Sequence, residues 1–409
     1  MEYVKLKDIT TKITKGTTPS NIGASFTDEG INYFRSEMLG KAKYLDKSSG
    51  MMFISESTHN KLKRSQIEVD DILFSMAGIY LGKLAIVKNE DVPANTNQAV
   101  ALIRFNKGVN IDYLYYFMVQ KSFNAYVNCM SAQAAQPNIN LKQIGNLQIA
   151  LPTDEQQKRI ADILSAYDSL IENNNKRIHL LERMAESLYK EWFVRFRFPG
   201  YENEHFIEDI PLSWSYVQLG DIASFDRGIS YSSDEINCDD GVNLINLKNI
   251  QSYGGFRYDG TKRYNGKYKD SQIVVARDLI LGVTDMTQDR RTVGSVALIP
   301  PISGKAVISA DLVKVKLKVP NVFFYCMCRY GFYSKYFSQF ANGANVLHLK
   351  PNVLLNKKIL LPTVELIEAF AKNVQPMIDI VDNLNCQNDL LTKQRDMLLP
   401  RLMSGKLEV

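Results

Sequence analysis

Residues 152–192 read PTDEQQKRIADILSAYDSLIENNNKRIHLLERMAESLYKEW, and this stretch decides the fold. Its apolar side chains recur at alternating steps of four and three residues, the spacing of a long helix that packs along a partner helix. The members of this seam are Ile160, Leu164, Tyr167, Ile171, Asn174, Ile178, Leu181, Ala185, Leu188 and Trp192. Pro152 precedes the helix and Thr153 or Asp154 can cap it, so we expect a helix of about 40 residues.

A second stretch, residues 367–402, repeats the same steps and is expected to be the partner helix. Its seam consists of Ile367, Phe370, Val374, Met377, Val381, Leu384, Asn388, Leu391, Arg395, Leu398 and Leu402. We expect Pro376 to kink this helix or delay its start, and Pro400 to break it near the end. The residues expected to pair the two helices are Leu164, Tyr167, Ile171, Asn174, Ile178, Leu181, Val374, Met377, Val381, Leu384 and Leu391.

Asn174 is the one polar member of the first seam, and the sequence leaves two interpretations of it open. A buried asparagine in a seam fixes the register of two helices at some cost in stability. The alternative is that Asn174 lies at a solvated edge of the helix pair.

The rest of the chain is an internal repeat with a period of about 210 residues. The matching segments are 3–9 with 216–222, 31–35 with 242–246, 67–73 with 273–280, 82–86 with 294–298, 139–142 with 347–350, and 151–153 with 361–363. Short apolar runs at 72–76, 84–87 and 99–103 predict strands, and short helices are expected at 111–127 and 322–340.

The predicted fold class is therefore α+β, with two similar α/β modules separated by two long helices. The predicted bounds are 1–152 for the first module, 153–200 for a central helical spacer, 201–362 for the second module and 363–409 for a distal helical spacer. Helices of this length span about 60 Å at 1.5 Å per residue. Because module termini usually lie close together, we expect the helices to be antiparallel and the modules to be related by a pseudo-two-fold axis.

Composition limits the classes of function without choosing one. The formal net charge of +5 permits a nucleic-acid partner but does not require one. The five cysteines, Cys129, Cys238, Cys326, Cys328 and Cys386, are scattered, which is typical of a reducing compartment. The sequence shows no signal peptide and no membrane-spanning apolar stretch, so a cytoplasmic location is expected.

The sequence offers no convincing active site, metal site or cofactor site. Gly78–Lys83 resembles a phosphate-binding loop but has one residue too few between its glycines and no Ser or Thr after the lysine, so a hairpin turn is expected. Cys326 and Cys328 have no second pair to complete a zinc site and are interpreted as core thiols. The four histidines are too scattered for a metal or a catalytic triad.

Several segments together resemble the specificity subunits of type I restriction–modification systems, over essentially the whole chain. They are 149–152 with 155–160, 188–196, 398–406, and 71–75 with Gly82 and Lys83. The second half departs from the family pattern because residues 365–368 read Glu-Leu-Ile-Glu in place of a Gln-Gln-Lys-Arg element. In this family the modules would be target recognition domains, each reading one half of a bipartite DNA site.

The resemblance also implies a set of partners. Two N6-adenine methyltransferase subunits, which bind S-adenosylmethionine, would pack on the helices. Two ATP-driven restriction and translocation subunits would complete the complex on double-stranded DNA. The chain would then be a non-catalytic subunit without a cofactor, which chooses the target and sets the gap between its halves.

Base and phosphate contacts require Arg, Lys, Asn, Gln, Ser and Thr on loops that can enter a groove. The candidate DNA-binding residues are Lys15, Thr17, Arg35, Lys83, Asn97, Gln98, Gln136 and Lys142 in the first module, and Arg227, Lys248, Arg290, Arg291, His348 and Lys350 in the second. The loop of residues 287–292 is the strongest candidate, because it is an insertion relative to the first module and carries two guanidinium groups. For any one of these residues, a solvated surface position is the alternative.

Two other classes of function remain open at this stage. The first is a nuclease or methyltransferase fused to a target-reading module, against which the missing motifs count. The second is a coiled-coil scaffold whose end domains bind proteins. A duplex-binding assay separates the scaffold from a DNA reader, because neutralised phosphates produce a steep dependence on salt.

Overall fold

The computed structural model describes residues 2–40, 42–47, 50–131, 138–236 and 240–408. These residues divide into two units. The first unit is Met1–Asn173 together with Asn388–Val409, and the second is Asn174–Gln387. Each unit therefore combines one copy of the sequence repeat with a part of each long helix.

Ten α-helices lie in the described ranges. They are α1 (Glu56–Lys61), α2 (Ile111–Met118), α3 (Lys121–Ser131), α4 (Leu141–Gly145), α5 (Asp154–Tyr189), α6 (Leu219–Ile222), α7 (Asn321–Tyr330), α8 (Tyr333–Ser338), α9 (Pro351–Leu355) and α10 (Val364–Met403). A π-helical turn, Lys190–Val194, continues α5. The segments 111–127 and 322–340, each expected to be helical, form two helices apiece.

The strands fall into two series that correspond to the two repeats. The first series is β1 (Glu2–Lys5), β2 (Thr10–Lys15), β3 (Phe26–Thr27), β4 (Ile31–Phe34), β5 (Met52–Ile54), β6 (Ile72–Ser75), β7 (Leu84–Ile86), β8 (Ala94–Thr96), β9 (Val100–Phe105) and β10 (Gln148–Leu151). The second is β11 (Phe206–Ile207), β12 (Ile210–Pro211), β13 (Ser215–Gln218), β14 (Ala223–Arg227), β15 (Val242–Ile245), β16 (Lys262–Tyr264), β17 (Ile273–Val274), β18 (Leu279–Gly282), β19 (Thr284–Asp285), β20 (Val296–Leu298), β21 (Ala306–Ile308), β22 (Leu312–Leu317), β23 (Leu347–His348) and β24 (Lys358–Leu361).

The two repeats share most of their sheet topology. The sheet β2-β9-β6-β7 of the first repeat corresponds to β14-β22-β18-β20 of the second. In the other sheet, β5-β4-β8 corresponds to β16-β15-β21, and each contains one parallel pair, β4 with β8 and β15 with β21. Strand β3 extends this sheet beside β5 in the first repeat, and β17 extends it beside β21 in the second. The predicted α+β class with two similar modules is therefore confirmed, as are the predicted strands near 72–76, 84–87 and 99–103.

The central strands are apolar on both faces because each one separates two cores. On β6, Ile72 and Phe74 pack with the short helices, whereas Leu73 packs into a second cluster with Phe34 on the other side of the sheet. Successive side chains of a strand point to opposite faces, so an uninterrupted apolar run is needed to fill both cores.

The two long helices begin where capping chemistry allows. The Thr153 hydroxyl accepts from the Gln156 N–H at 3.3 Å, and the Gln156 side chain accepts from the Thr153 N–H at 3.3 Å, which forms a capping box. The Thr363 hydroxyl accepts from the Leu366 N–H at 3.4 Å at the start of α10. The first helix thus starts as predicted, and the second starts without the Gln-Gln-Lys-Arg element.

The bounds of α10 differ from those predicted from its prolines. The helix begins at Val364, upstream of Pro376, and continues past Pro400 to Met403. The delayed start expected at Pro376 is therefore wrong, and Pro400 lies in the last turn instead of ending the helix. An interior proline costs about 3 kcal/mol, and the burial of Phe370 and Val374 at 0% exposure on the preceding turns offsets that cost.

Within each unit, the parts of α5 and α10 run antiparallel. In the first unit, Arg395 contacts Asp168 at 2.5 Å, and Leu164 lies in one core cluster with Leu402. In the second unit, the ring of Phe370 lies 5.9 Å from that of Tyr189, and Ile178 lines one cavity with Val381. Residue numbers therefore rise along one helix as they fall along the other, as predicted.

The residues expected to pair the helices are all at least half-buried. Leu164, Asn174, Val374 and Leu384 are buried. The half-buried ones are Tyr167, Ile171, Ile178, Leu181, Met377, Val381 and Leu391. Asn174 is only 6% exposed, which favours the interpretation of a buried polar residue over that of a solvated edge.

One segment of the proposed repeat alignment is wrong by two residues. The Ile139 N–H donates to the Met76 carbonyl at 2.9 Å, and the Leu349 N–H donates to the Val283 carbonyl at 2.8 Å. Ile139 therefore corresponds to Leu349, not to Leu347. Sequence similarity misplaced this match because both segments read apolar-polar-Leu-Lys, whereas the backbone pairing identifies the equivalent positions.

The two cysteines interpreted as core thiols lie in the core of the second unit. Cys326 and Cys328 are buried on α7, and burial raises the pKa of both thiols well above the usual range. Cys238 lies outside the described residues. No helix in the described ranges combines the length and the apolar character that crossing a membrane requires.

Candidate nucleic-acid interface

In the first unit, the ends of β2, β4 and β8 meet at one edge. Because β4 and β8 are parallel, with Phe34 opposite Thr96, the residues that follow them emerge side by side. The Thr17 N–H donates to the Thr96 carbonyl at 3.0 Å, which brings the end of β2 to the same place. Five predicted DNA-binding residues lie along this edge: Lys15, Thr17, Arg35, Asn97 and Gln98.

A glycine permits the close approach at this edge in both repeats. A Cβ on Gly16 would lie 1.9 Å from the Thr96 carbonyl oxygen, and a Cβ on Gly228 would lie 2.0 Å from the Ser309 carbonyl oxygen. Only glycine fits where two backbones approach this closely. Lys15 and Arg227, which precede these glycines, are therefore structurally equivalent basic residues.

Gln98 is held by its oxygen. The Thr18 hydroxyl donates to Oε1 at 3.3 Å and the Asn21 amide donates to the same atom at 3.0 Å. The exposed Gln98 side chain thus keeps its NH2 group as a donor. In the major groove, guanine and thymine carry acceptor atoms to which this NH2 group could donate.

In the second unit, the ends of β14, β15 and β21 form the corresponding edge. The Ile229 N–H donates to the Ile308 carbonyl at 2.8 Å, and the Ser309 N–H donates to the Ile245 carbonyl at 2.8 Å. Arg227 and Lys248 are exposed here. Strand β19 pairs with β23, with Thr284 opposite His348, so exposed His348 and Lys350 lie next to the loop that follows β18.

The inserted loop after β18 is held by Asp285. The Oδ1 atom of Asp285 accepts from the Thr287 N–H at 2.9 Å, and Oδ2 accepts from the Thr292 N–H at 2.8 Å. Burial acts to raise the pKa of Asp285, but hydrogen bonds from Thr292 and Thr287 outweigh it and lower the pKa to about 2. The carboxylate is therefore a fixed anchor, and the loop has a defined shape.

The two arginines of this loop have different surroundings. The Arg290 guanidinium donates to the carbonyls of Ser338 and Gln339, both at 3.3 Å, at the C-terminal end of α8. Arg291 is exposed and pairs with Asp289 at 3.0 Å. Arg290 therefore braces the loop. Arg291 is held only by an exposed ion pair, which is weak, so its guanidinium could bind a DNA phosphate instead.

Comparison with known proteins shows a consistent family. A family model described as "Type I restriction modification DNA specificity domain" matches residues 1–183. The type I restriction enzyme MjaIX specificity subunit of Methanocaldococcus jannaschii is 28% identical to this chain, and the match covers 99% of this chain and 93% of the length of that subunit. The putative MjaX specificity subunit of the same organism is 26% identical, over 100% and 94%. Over nearly its whole length, the chain is similar to type I restriction–modification specificity subunits.

A solved structure shows that the fold is shared as well. The crystal structure of a type I restriction–modification S subunit from M. genitalium superposes with a TM-score of 0.61, at 14% identity, over 98% of this chain and 95% of that one. The resemblance of this chain to specificity subunits, inferred from its motifs, is therefore confirmed.

Not every predicted DNA-binding residue lies at the two edges. Lys142, on α4, lines a recess with Lys7 and Lys12 near the start of β2, whereas Lys15 ends that strand. Exposed Lys83 packs its methylenes against Gly40 and lines a cavity next to α10. Gln136 lies outside the described residues.

Sequence reasoning missed several residues at the edge of the first unit. Thr18 and Asn21 orient Gln98, as described above. Arg64 is exposed and donates to the Thr17 hydroxyl at 3.2 Å. No local signal marks Arg64, because 47 residues of chain separate it from Thr17. Within the described residues, no cluster of three or more His, Cys, Asp or Glu side chains could hold a metal ion.

The pKa of Asp285 predicts how acid affects the second unit. A carboxyl group whose pKa falls from 3.8 to about 2 on folding stabilises the folded state above about pH 4. That contribution, about 2 kcal/mol, is lost as the pH falls through 2. We expect Asp285→Asn to lower the free energy of unfolding by about 2 kcal/mol at pH 7, and by much less at pH 2.

Denaturant unfolding followed by tryptophan fluorescence measures this effect, because Trp192 and Trp214 both lie in the second unit. Asp289→Asn is the matched control, since it removes an exposed carboxylate from the same loop. Equal losses for Asp285→Asn at pH 7 and at pH 2 would show that the carboxylate charge does not anchor the loop.

Proposed function

We propose that this chain reads an asymmetric, bipartite site on double-stranded DNA, one half with each repeat. The observation that carries the proposal is the recurrence of one strand-end edge in both repeats, lined by exposed basic and amide side chains such as Lys15 and Gln98 in the first and Arg227 in the second. Arg, Lys, Asn and Gln are the residues that hydrogen-bond base edges and phosphates.

The two edges differ in the groups that they present, which supports two different half-sites. The first edge carries amides, with Asn97 and Gln98 following β8. The second carries the inserted loop with Arg291 and, beside it, His348. Because base readout depends on the donor and acceptor pattern of each side chain, unlike edges select unlike sequences.

The long helices are proposed to set the gap between the half-sites and to bind the partner subunits. The relatives are named as specificity subunits of type I restriction enzymes, which supports two methyltransferase subunits and two restriction and translocation subunits as partners. The chain itself would contribute recognition and no catalytic group.

The test of DNA reading uses a duplex that carries the target. Mapping methylated adenines in the host genome identifies that target as a two-part motif with a fixed gap. Against this duplex, Lys15→Ala is expected to weaken binding and to reduce the slope of log affinity against log salt by about one, because one phosphate contact is lost.

Lys142→Ala is the matched control, since it removes the same charge near the opposite end of β2. Arg291→Ala should weaken binding through the other half-site only, and Arg290→Ala is measured separately because that side chain braces the loop. A wild-type chain whose affinity for the mapped duplex does not depend on salt would exclude the proposed function.

Exposed apolar side chains on the helices predict where the methyltransferase subunits dock. In the second unit, Leu180 and Met184 of α5 are 57% and 53% exposed. In the first unit, Leu390 and Met397 of α10 are 54% and 61% exposed. Buried apolar area stabilises such interfaces by about 25 cal/mol per Å². A lysine at any of these positions would bring an unpaired charge into the interface.

We expect Leu180→Lys with Met184→Lys to lose one of two bound methyltransferase subunits, and the four-residue variant with Leu390→Lys and Met397→Lys to lose both. The mass of the purified complex measures this. His179→Lys is the control, because it adds the same charge at an exposed polar position on α5. Retention of both subunits by the four-residue variant would place docking elsewhere.

A further inference from the structure

The two most exposed large apolar side chains of the described residues lie on equivalent loops of the two repeats. Ile79, in the loop between β6 and β7, is 88% exposed. Met286, in the inserted loop between β18 and β20, is 69% exposed. Single exposed apolar residues are common on protein surfaces, so the coincidence of position is what requires an explanation.

The backbone establishes that the loops are equivalent. The Gly82 N–H donates to the Ser75 carbonyl at 3.0 Å, and the Gly294 N–H donates to the Gly282 carbonyl at 2.8 Å. Both glycines have a φ of 78°. The loops otherwise differ in length and sequence, yet each presents one large apolar side chain to solvent.

Both side chains project from a braced backbone. Ile79 lies in a 3-10 turn, Gly78–Tyr80, and the neighbouring Ala77 bridges to Asn138. Met286 follows directly on Asp285, whose carboxylate holds the loop, and on the β19–β23 pairing. An apolar side chain on a braced loop loses little conformational freedom when it is buried by a partner.

The loops adjoin the edges proposed to read DNA. The Met76 N–H donates to the Ala99 carbonyl at 2.8 Å, which places the loop of Ile79 next to Asn97 and Gln98. In the second unit, the Val283 N–H donates to the Asp311 carbonyl at 2.9 Å in the same way. A protruding apolar residue beside the proposed base-reading groups would face the bases of a bound duplex.

We propose that Ile79 and Met286 are wedges that insert into the base stack of their respective half-sites. Ile and Met are among the side chains that enter between base pairs, unstack them and kink the duplex. The unstacking cost depends on the base step, so each wedge adds sequence preference at a position without a hydrogen bond. This inference rests on the proposed function.

The test uses the mapped duplex with 2-aminopurine placed in turn at each adenine of one half-site, because the fluorescence of this base rises when it is unstacked. We expect the wild-type chain to raise the fluorescence at one step in each half-site. Ile79→Ala should abolish the rise in the first half-site only and weaken binding about tenfold. Met286→Ala should act likewise on the second half-site.

Val69→Ala and Val275→Ala are matched controls, since these valines are 41% and 61% exposed in the turns before β6 and β18, away from the loops. Both should bind like the wild-type chain. If the wild-type chain binds the mapped duplex specifically but no step is unstacked, or if Ile79→Ala binds as tightly as Val69→Ala, the wedge is excluded while DNA reading stands. A wild-type chain without specific binding would instead exclude the proposed function.

Discussion

Phe370→Ala is expected to lower the free energy of unfolding of the second unit by about 4 kcal/mol, because it opens a large cavity in an aromatic core. Phe370 is 0% exposed. Its ring lies 4.9 Å from that of Phe193 and 5.8 Å from that of Trp192. The start of α10 is thereby attached to the end of α5 and, through Phe323 at 6.3 Å, to the second repeat.

Tryptophan fluorescence measures this loss directly, since both tryptophans of the chain belong to the second unit and Trp192 touches the substituted ring. Phe370→Leu is the control. It keeps an apolar side chain of intermediate volume and should cost about 1 kcal/mol. Equal midpoints for the alanine and leucine variants would mean that the core closes around the cavity.

Arg104→Met is expected to lower the free energy of unfolding of the first unit by about 3 kcal/mol at pH 7, because it leaves a buried carboxylate without its counter-charge. Asp71 is 0% exposed and accepts two hydrogen bonds from Arg104, both at 2.8 Å. Methionine keeps most of the apolar stem of arginine, so the loss reports the charge and the hydrogen bonds.

The pH dependence of this variant follows from the pKa of Asp71. Burial raises that pKa above its ordinary value even with Arg104 present. Removal of the guanidinium raises it further, so the folded variant binds a proton more readily than the unfolded chain. The loss of unfolding free energy is therefore largest at pH values above the pKa of Asp71 in the folded variant. This loss shrinks as the pH falls through that pKa.

Circular dichroism at pH 7 and pH 4.5 measures this deficit, with tryptophan fluorescence as an internal reference for the unchanged second unit. The control variant adds Asp71→Asn to Arg104→Met, which removes the buried charge and should recover most of the loss. A deficit that is the same at both pH values would show that packing, not the uncompensated carboxylate, causes it.

The helical spacer and the internal repeat were predictable from local patterns. A four-and-three step of apolar residues is a property of neighbouring positions, and it correctly predicted α5 from its capping residues onward. The same reasoning was wrong about a delayed start at Pro376, because the cost of one proline is local whereas the burial of Phe370 and Val374 that offsets it is not.

The site was predictable only by residue type. Lys15 and Arg227 were chosen as separate basic residues, and only the backbone approaches at Gly16 and Gly228 show that they are equivalent. Arg290 and Arg291 are neighbours in sequence, yet one binds carbonyls of α8 and the other is exposed. Neither Arg64 nor Ile79 carries a local signal of its surroundings.

Periodicity and repetition are written into adjacent positions of the chain, so the long antiparallel helices and the twin α/β modules could be inferred without coordinates. The neighbours of each polar or apolar side chain are determined by strands that pair across tens of residues. For that reason, only the folded structure shows that Lys142 lies away from Lys15, that Asn174 is buried, and that the loops of Ile79 and Met286 occupy equivalent positions.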